Sequence, residues 1–314
     1  MPLPKFAIEA TGLKKLYRSQ NADKDKLALK GIDLSIPRGS LFGLLGPNGA
    51  GKSTFINILA GLTLKTDGIV KIWDKNIEQD PRNCRASIGV VPQELNVDAF
   101  FTPKEMLNAQ AGLYGVPKAE RITNELLERM GLTEKANAYS RALSGGMKRR
   151  LMVAKAMVHR PPILVLDEPT AGVDIELRQN LWEYVKELNR SGVTVLLTTH
   201  YLEEAEELCD QIGIINHGEL VACEKKESLI KKLDRKTLYF TLSSALTKIP
   251  DSLKKYAPKL VDANQISLSY TPSKVLFNQI LNAVNDAGIE IKDLRTEESD
   301  LEDAFLQLTR RKTT

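Results

Sequence analysis

Several short segments carry residue types suited to phosphate chemistry. GPNGAGKST (46–54) fits the spacing G-x-x-x-x-G-K-[ST]. Its loop residues Gly46, Pro47, Asn48, Gly49, Ala50 and Gly51 can curl so that successive backbone N–H groups face phosphate oxygens. Lys52 would then reach the β- and γ-phosphates, and Ser53, followed by Thr54, would turn its hydroxyl to Mg²⁺. ILVLDEP (163–169) is an apolar run that delivers two acids at its end. Asp167 would hold the metal, directly or through water, and Glu168 would be the general base polarising the attacking water, a role worth about 10²–10⁴ in rate. VLLTTH (195–200) ends on His200, placed to touch a γ-phosphate, and Gln93 in VVPQE (90–94) ends another strand, placed to sense the metal or the attacking water. Tyr17 closes the first strand pattern and could stack on a base. ALSGGMKRRL (142–151) poses a question: Ser144, Gly145 and Gly146 precede a helix-forming run, so a second helix start can hold an anion.

These residues must be positioned by strands and helices, and the apolar pattern supplies them. FAIEATGLKKLY and LALKGIDLSIP read as an antiparallel pair around the polar stretch 18–26. SLFGLLG runs into the glycine loop, and KSTFINILAGL is the helix that leaves it. GIVKIWD, ASIGVVPQ, PILVLDE, GVTVLLTTH and QIGIINHGEL read as further strands, and ELRQNLWEYVKELNRSG as a helix stopped at Gly192. From about residue 98 to 160 the spacing is helical throughout, an insertion between strands. EKKESLIKKLDRK is a basic helical connector. Beyond it KTLYFTL sets Leu238, Phe240 and Leu242 on one face, QISLSY alternates similarly, and two amphipathic helices start near Phe277 and Leu301. The expected organisation is an α/β nucleotide-binding domain over 1–233 and a small α+β domain over 234–314.

Composition narrows the classes. A net charge of +4 over 314 residues lacks the concentrated basic stripe of a nucleic-acid binder, so no nucleic acid is expected. Cys84, Cys209 and Cys223 match neither a disulfide framework nor zinc spacing, which suits a reducing compartment. The N-terminal stretch MPLPKFAIEATGLKK has no signal-peptide core, and no segment approaches the roughly 20 apolar residues that span a bilayer.

In order along the chain, Tyr17, GPNGAGKST, Gln93, LSGGMKRR, ILVLDEP, AGVD (171–174) and His200 resemble the ATP-binding cassette (ABC) family over roughly residues 5–233. They match its A-loop, Walker A, Q-loop, signature, Walker B, D-loop and H-loop. The resemblance implies a P-loop ATPase with a mixed sheet core, an antiparallel β subdomain and a helical subdomain, using ATP and Mg²⁺. It answers the question of the second helix start: in this family the signature binds the γ-phosphate of ATP held by the opposite subunit. Ser144, Gly145 and Gly146 are thus expected to act in trans in a homodimer that sandwiches two ATP, with Asp174 of the D-loop beside the nucleotide. Met147 stands where the family most often has glutamine. GGMKRR, AGVDIELR and LEDAFLQLT are similar to ATPase subunits of bacterial ABC-2-type exporters of drugs and polysaccharides. Such a subunit drives a separate integral membrane permease and meets the cytoplasmic face of the cell membrane through it. The alternative class is a soluble cassette ATPase acting on nucleic acid, ribosomes or cofactor assembly. Those acting on nucleic acid or ribosomes usually carry two cassettes in one chain or long coiled-coil insertions, and this chain has one cassette and no sustained heptads.

Overall fold

A computed structural model describes residues 3–18, 25–94, 96–170, 175–233, 236–246 and 248–310. The chain divides into two compact units, Met1–Lys225 and Lys226–Thr314. The first contains, in order, β1 (Phe6–Tyr17), β2 (Lys26–Pro37), β3 (Leu41–Leu45), α1 (Lys52–Leu59), β4 (Asp67–Ile72), β5 (Lys75–Asn76), α2 (Pro81–Ala86) and β6 (Ile88–Val91). The helical insertion follows as α3 (Pro103–Leu113), α4 (Thr123–Arg129) and α5 (Gly145–Met157). The chain then returns through β7 (Ile163–Asp167), α6 (Ile175–Arg190), β8 (Thr194–Thr198), α7 (Leu202–Leu208), β9 (Gln211–Asn216) and β10 (Glu219–Lys225).

Two sheets form this unit. The central one has the order β10-β9-β3-β8-β7-β6, in which only β10 runs antiparallel to its neighbour. Strands β3, β7 and β8 are buried along their whole length, which is why they read as unbroken apolar runs rather than alternating ones. The second sheet, β2-β1-β4-β5, is antiparallel. Its inner residues Ile8, Leu29, Ile32 and Val70 share one core with Phe55 and Ile56 of α1 and with Phe42, Val165 and Leu196 of the central sheet. Burying a side chain of this size contributes about 1.5–3 kcal/mol. That shared core holds α1, and the loop before it, between the sheets.

The structure corrects the reading of QIGIINHGEL as one strand. The strand stops at Asn216; His217 (φ 48°) and Gly218 (φ 80°) turn the chain, and β10 pairs back along β9. Two successive left-handed residues are what a tight hairpin turn demands.

The second unit comprises α8 (Lys226–Lys231), β11 (Lys236–Leu242), β12 (Lys259–Asp262), β13 (Gln265–Tyr270), α9 (Phe277–Asp286), β14 (Ile291–Glu298) and α10 (Leu301–Arg310). Its antiparallel sheet has the order β12-β13-β11-β14. Leu238, Phe240 and Leu242 are buried with Ile266, Leu268, Ile280 and Val284 in a core separate from that of the first unit. Phe277, at the start of α9, is exposed. The connector helix α8 groups with this unit because it packs against α10, so the boundary lies eight residues before position 233/234.

Candidate active site

The phosphate loop lies between β3 and α1, at the carboxyl edge of the parallel strands, where open α/β sheets bind ligands. Its glycines are required by geometry. A Cβ on Gly46 would sit 2.2 Å from the carbonyl oxygen of Ile215, and Gly51 adopts φ 117°, where side chains are strained. Gly51 is also the N-cap of α1 and offers no side-chain cap, so the first N–H groups of the helix are left for an anion. Lys52 is buried, and its Nζ donates to the carbonyls of Gly46 (2.6 Å) and Pro47 (3.3 Å), which folds the ammonium back over the loop. Burial pushes its pKa down, while the charges of Glu168 and Asp167 pull it up.

Three more parallel strands, β6, β7 and β8, deliver the remaining chemistry to the same edge. Asp167 ends β7 as a buried carboxylate; burial raises its pKa, and hydrogen bonds from Thr198 and Ser53 oppose the rise. The Thr198 hydroxyl donates to Asp167 Oδ1 at 2.5 Å. Glu168 follows with φ 47°, a left-handed conformation unusual for a residue with a side chain. That backbone is held by β8: the Glu168 N–H lies 3.1 Å from both the hydroxyl and the carbonyl oxygen of Thr198. Gln93, just past β6, donates from Nε2 to Glu168 Oε2 at 3.0 Å, and His200, just past β8, places Nδ1 3.3 Å from the same oxygen. One carboxylate oxygen thus faces an amide and an imidazole, and the pair flanks the phosphate loop. A cleft of about 390 Å³ is lined by Asn48, Lys52, Ser53 and Thr54 with Gln93 and Glu168. Tyr17 lines it as well, with Lys15 Nζ 4.8 Å from the ring centroid.

The structure therefore brings together Tyr17, residues 48–54, Gln93, Asp167, Glu168 and His200, while Gly46 and Pro47 hold the Lys52 head. It does not bring the signature to the same cleft. Ser144 caps α5, its hydroxyl accepting from the Met147 N–H at 3.3 Å, and among the described residues neither Ser144, Gly145 nor Gly146 lines the cleft. Asp174 lies outside the described residues.

A supporting layer was not read from the sequence. Thr198 joins Asp167 to Glu168 as above. Glu204, buried on α7, accepts from Thr170 (3.0 Å) and Thr199 (2.8 Å) and lies 3.5 Å from Arg178. It ties the segment after Glu168 to the segment before His200. The signal present was the pair of hydroxyls in TTH; the partner carboxylate lies across a helix turn that no local pattern marks.

Oxygen donors of this kind suit a hard divalent cation: the Asp167 carboxylate and the Ser53 hydroxyl are within one hydrogen bond of each other. Among the described residues no helix is long and apolar enough to cross a membrane.

Comparison with known proteins agrees with this geometry. A family model described as ABC transporter matches residues 29–171. The chain is 35% identical over 315 residues to the linearmycin resistance ATP-binding protein LnrL of Bacillus subtilis (strain 168), covering 97% of this chain and 98% of that protein. It is 42% identical over 225 residues to the Nod factor export ATP-binding protein I of Ralstonia nicotianae, covering 71% and 68% respectively. Among solved structures it resembles a dimeric ATP-binding cassette in a post-hydrolysis state bound to ADP and Pi, with a TM-score of 0.62 and 28% identity over 69% of this chain and 98% of that one. With the near full-length likeness and a P-loop, two acids, glutamine and histidine converging on one cleft, the chain belongs to the ABC transporter family as an ATP-binding, ATP-hydrolysing subunit.

Proposed function

We propose that this ATPase is the energy-supplying subunit of an exporter, working as a homodimer on a separate integral membrane permease. The observation that carries the hydrolytic assignment is the meeting of Gln93 and His200 on one oxygen of Glu168 beside the phosphate loop. In this reading the backbone of 46–51 and the start of α1 bind the phosphates, Lys52 reaches the β- and γ-phosphates, and Tyr17 stacks on adenine. Ser53 and Asp167, with Gln93, would hold Mg²⁺, which when bound neutralises charge on the β- and γ-phosphate oxygens. Glu168 accepts the proton of the attacking water, Gln93 orients that water, and His200 contacts the γ-phosphate. Ser144, Gly145 and Gly146 act on the nucleotide of a second copy, and Asp174 stands beside it. Two positive helix ends, α1 of one chain and α5 of the other, then share one triphosphate. ATP favours the closed pair because it binds that state better than the open one.

Export is supported by the names of the relatives, a resistance ATP-binding protein and an export ATP-binding protein. A permease-receiving face is supported by exposed Leu62, which lines a cleft of about 290 Å³ with Pro92, Asn96, Tyr114 and Met152, and by exposed Phe100 and Leu113 in the helical insertion. The chain then acts at the cytoplasmic face of the membrane.

The test is to express the Glu168→Gln variant in its native host and purify it from membranes with Mg²⁺ and ATP. The expected result is one polytopic membrane protein in stoichiometric amount. Recovery only in the soluble fraction, alone or with ribosomes, would leave the ATPase chemistry standing and remove its coupling to transport.

A further inference from the structure

Arg149 lies on α5, the helix capped by Ser144. The residue is buried at 5% exposure, and its Nη1 donates to two backbone carbonyls of another segment, Pro92 (3.1 Å) and Gln93 (2.9 Å). Among the described residues no carboxylate pairs with it, and its buried Nε has no hydrogen-bond partner. A buried guanidinium with an unmet donor and no counter-charge is a costly way to fill space; an apolar side chain would pack there more cheaply. The two carbonyls are what the charge does gain. They belong to the turn that carries Gln93, whose own amide donates to Glu168 Oε2 at 3.0 Å.

We propose that Arg149 is a positioning residue for hydrolysis: from the signature helix it fixes the backbone at Pro92 and Gln93, and so sets the Gln93 amide against Glu168. The inference rests on the reading of Glu168 and Gln93 as the hydrolytic pair. It gives α5 two connections, one at its N-terminus to the nucleotide of the opposite chain and one through Arg149 to the water-orienting glutamine of its own. A shift of α5 on closure of the dimer is then delivered to Gln93 directly. Two charge-assisted hydrogen bonds to adjacent carbonyls define a position better than packing alone.

The experiment uses the full-length chain as wild type, Arg149→Met, Gln93→Ala and the double variant, with kcat and KM for ATP measured at saturating Mg²⁺. Arg149→Met is expected to lower kcat about 10- to 100-fold, the range that follows from misplacing a reacting group. KM should stay within about threefold, since no phosphate contact is lost. Because Arg149 acts through Gln93, adding Arg149→Met to Gln93→Ala should cost less than about threefold more. Amide hydrogen exchange gives a readout apart from activity: residues 88–94 should exchange faster in Arg149→Met while 163–168 are unchanged. Losses that multiply in the double variant, or unaltered exchange at 88–94, would overturn the proposal. Should Arg149→Met be recovered unfolded, Arg149→Gln, too short to span to the carbonyls, carries the same expectations. Glu168→Gln run alongside separates the two levels: hydrolysis near the wild-type rate in that variant removes the hydrolytic pair itself. A dead Glu168→Gln with additive Arg149 and Gln93 effects removes only the role of Arg149.

Discussion

At Glu168 the backbone is held in a conformation that a side-chain-bearing residue seldom adopts. The strain of such a position is of the order of 1–3 kcal/mol. It is sustained by Thr198, whose hydroxyl and carbonyl both meet the Glu168 N–H, and it aims the carboxylate at Gln93 and His200. Glu168→Gln keeps shape and removes basicity, so turnover is predicted to fall about 10²–10⁴-fold while ATP affinity is retained. A single-turnover assay beside equilibrium nucleotide binding checks this, and a rate within a few-fold of wild type would refute the role. At this scale the sequence showed the residue types but not how they are held. GPNGAGKST declares its chemistry because glycine, lysine and serine at fixed spacing have few other uses beside a strand and a helix. Thr198 and Glu204 do not, since a threonine and a glutamate are ordinary residues until the register of β7 on β8 and the path of α7 bring them to their partners.

Elements that are buried or strongly periodic were legible, and the rest were not. The fully buried β3, β7 and β8 and the helices of the insertion follow from their apolar runs and spacing. β12 is exposed at all four positions and β14 is largely exposed, so neither shows the alternation that marks a half-buried strand. β10 was hidden because its turn is made by His217 and Gly218, a pair outside the usual hairpin signals. The insertion also carries a testable contact. His159, just past α5, stacks on Tyr114, just past α3, with centroids 3.6 Å apart and planes 2° from parallel. Burial pushes the His159 pKa from 6.5 down to about 4. Between those values the unfolded chain binds a proton that the folded chain refuses, so this contribution to stability is full above pH 6.5 and is lost as the pH falls toward 4. His159→Phe keeps the stack and removes the titration. Its melting temperature should decline less than that of the wild type over this window, and parallel declines would contradict the assignment.

The two units have separate cores, and the described candidate-site residues all belong to the first. Within that unit the phosphate loop leads into a helix start with no side-chain cap and lines the cleft, whereas the helix start capped by Ser144 does not line it. In the proposed reading a single chain holds one phosphate cradle and half of another, so a second copy completes each site. The most direct measurement is sedimentation velocity of Glu168→Gln with and without ATP, repeated with Ser144→Arg added. Glu168→Gln is expected to be a monomer without nucleotide and a dimer with ATP. Ser144→Arg should abolish that dimer while leaving ATP binding by the single chain intact. An ATP-dependent dimer that persists unchanged in the Ser144→Arg variant would contradict the claim that the signature acts on the partner's nucleotide.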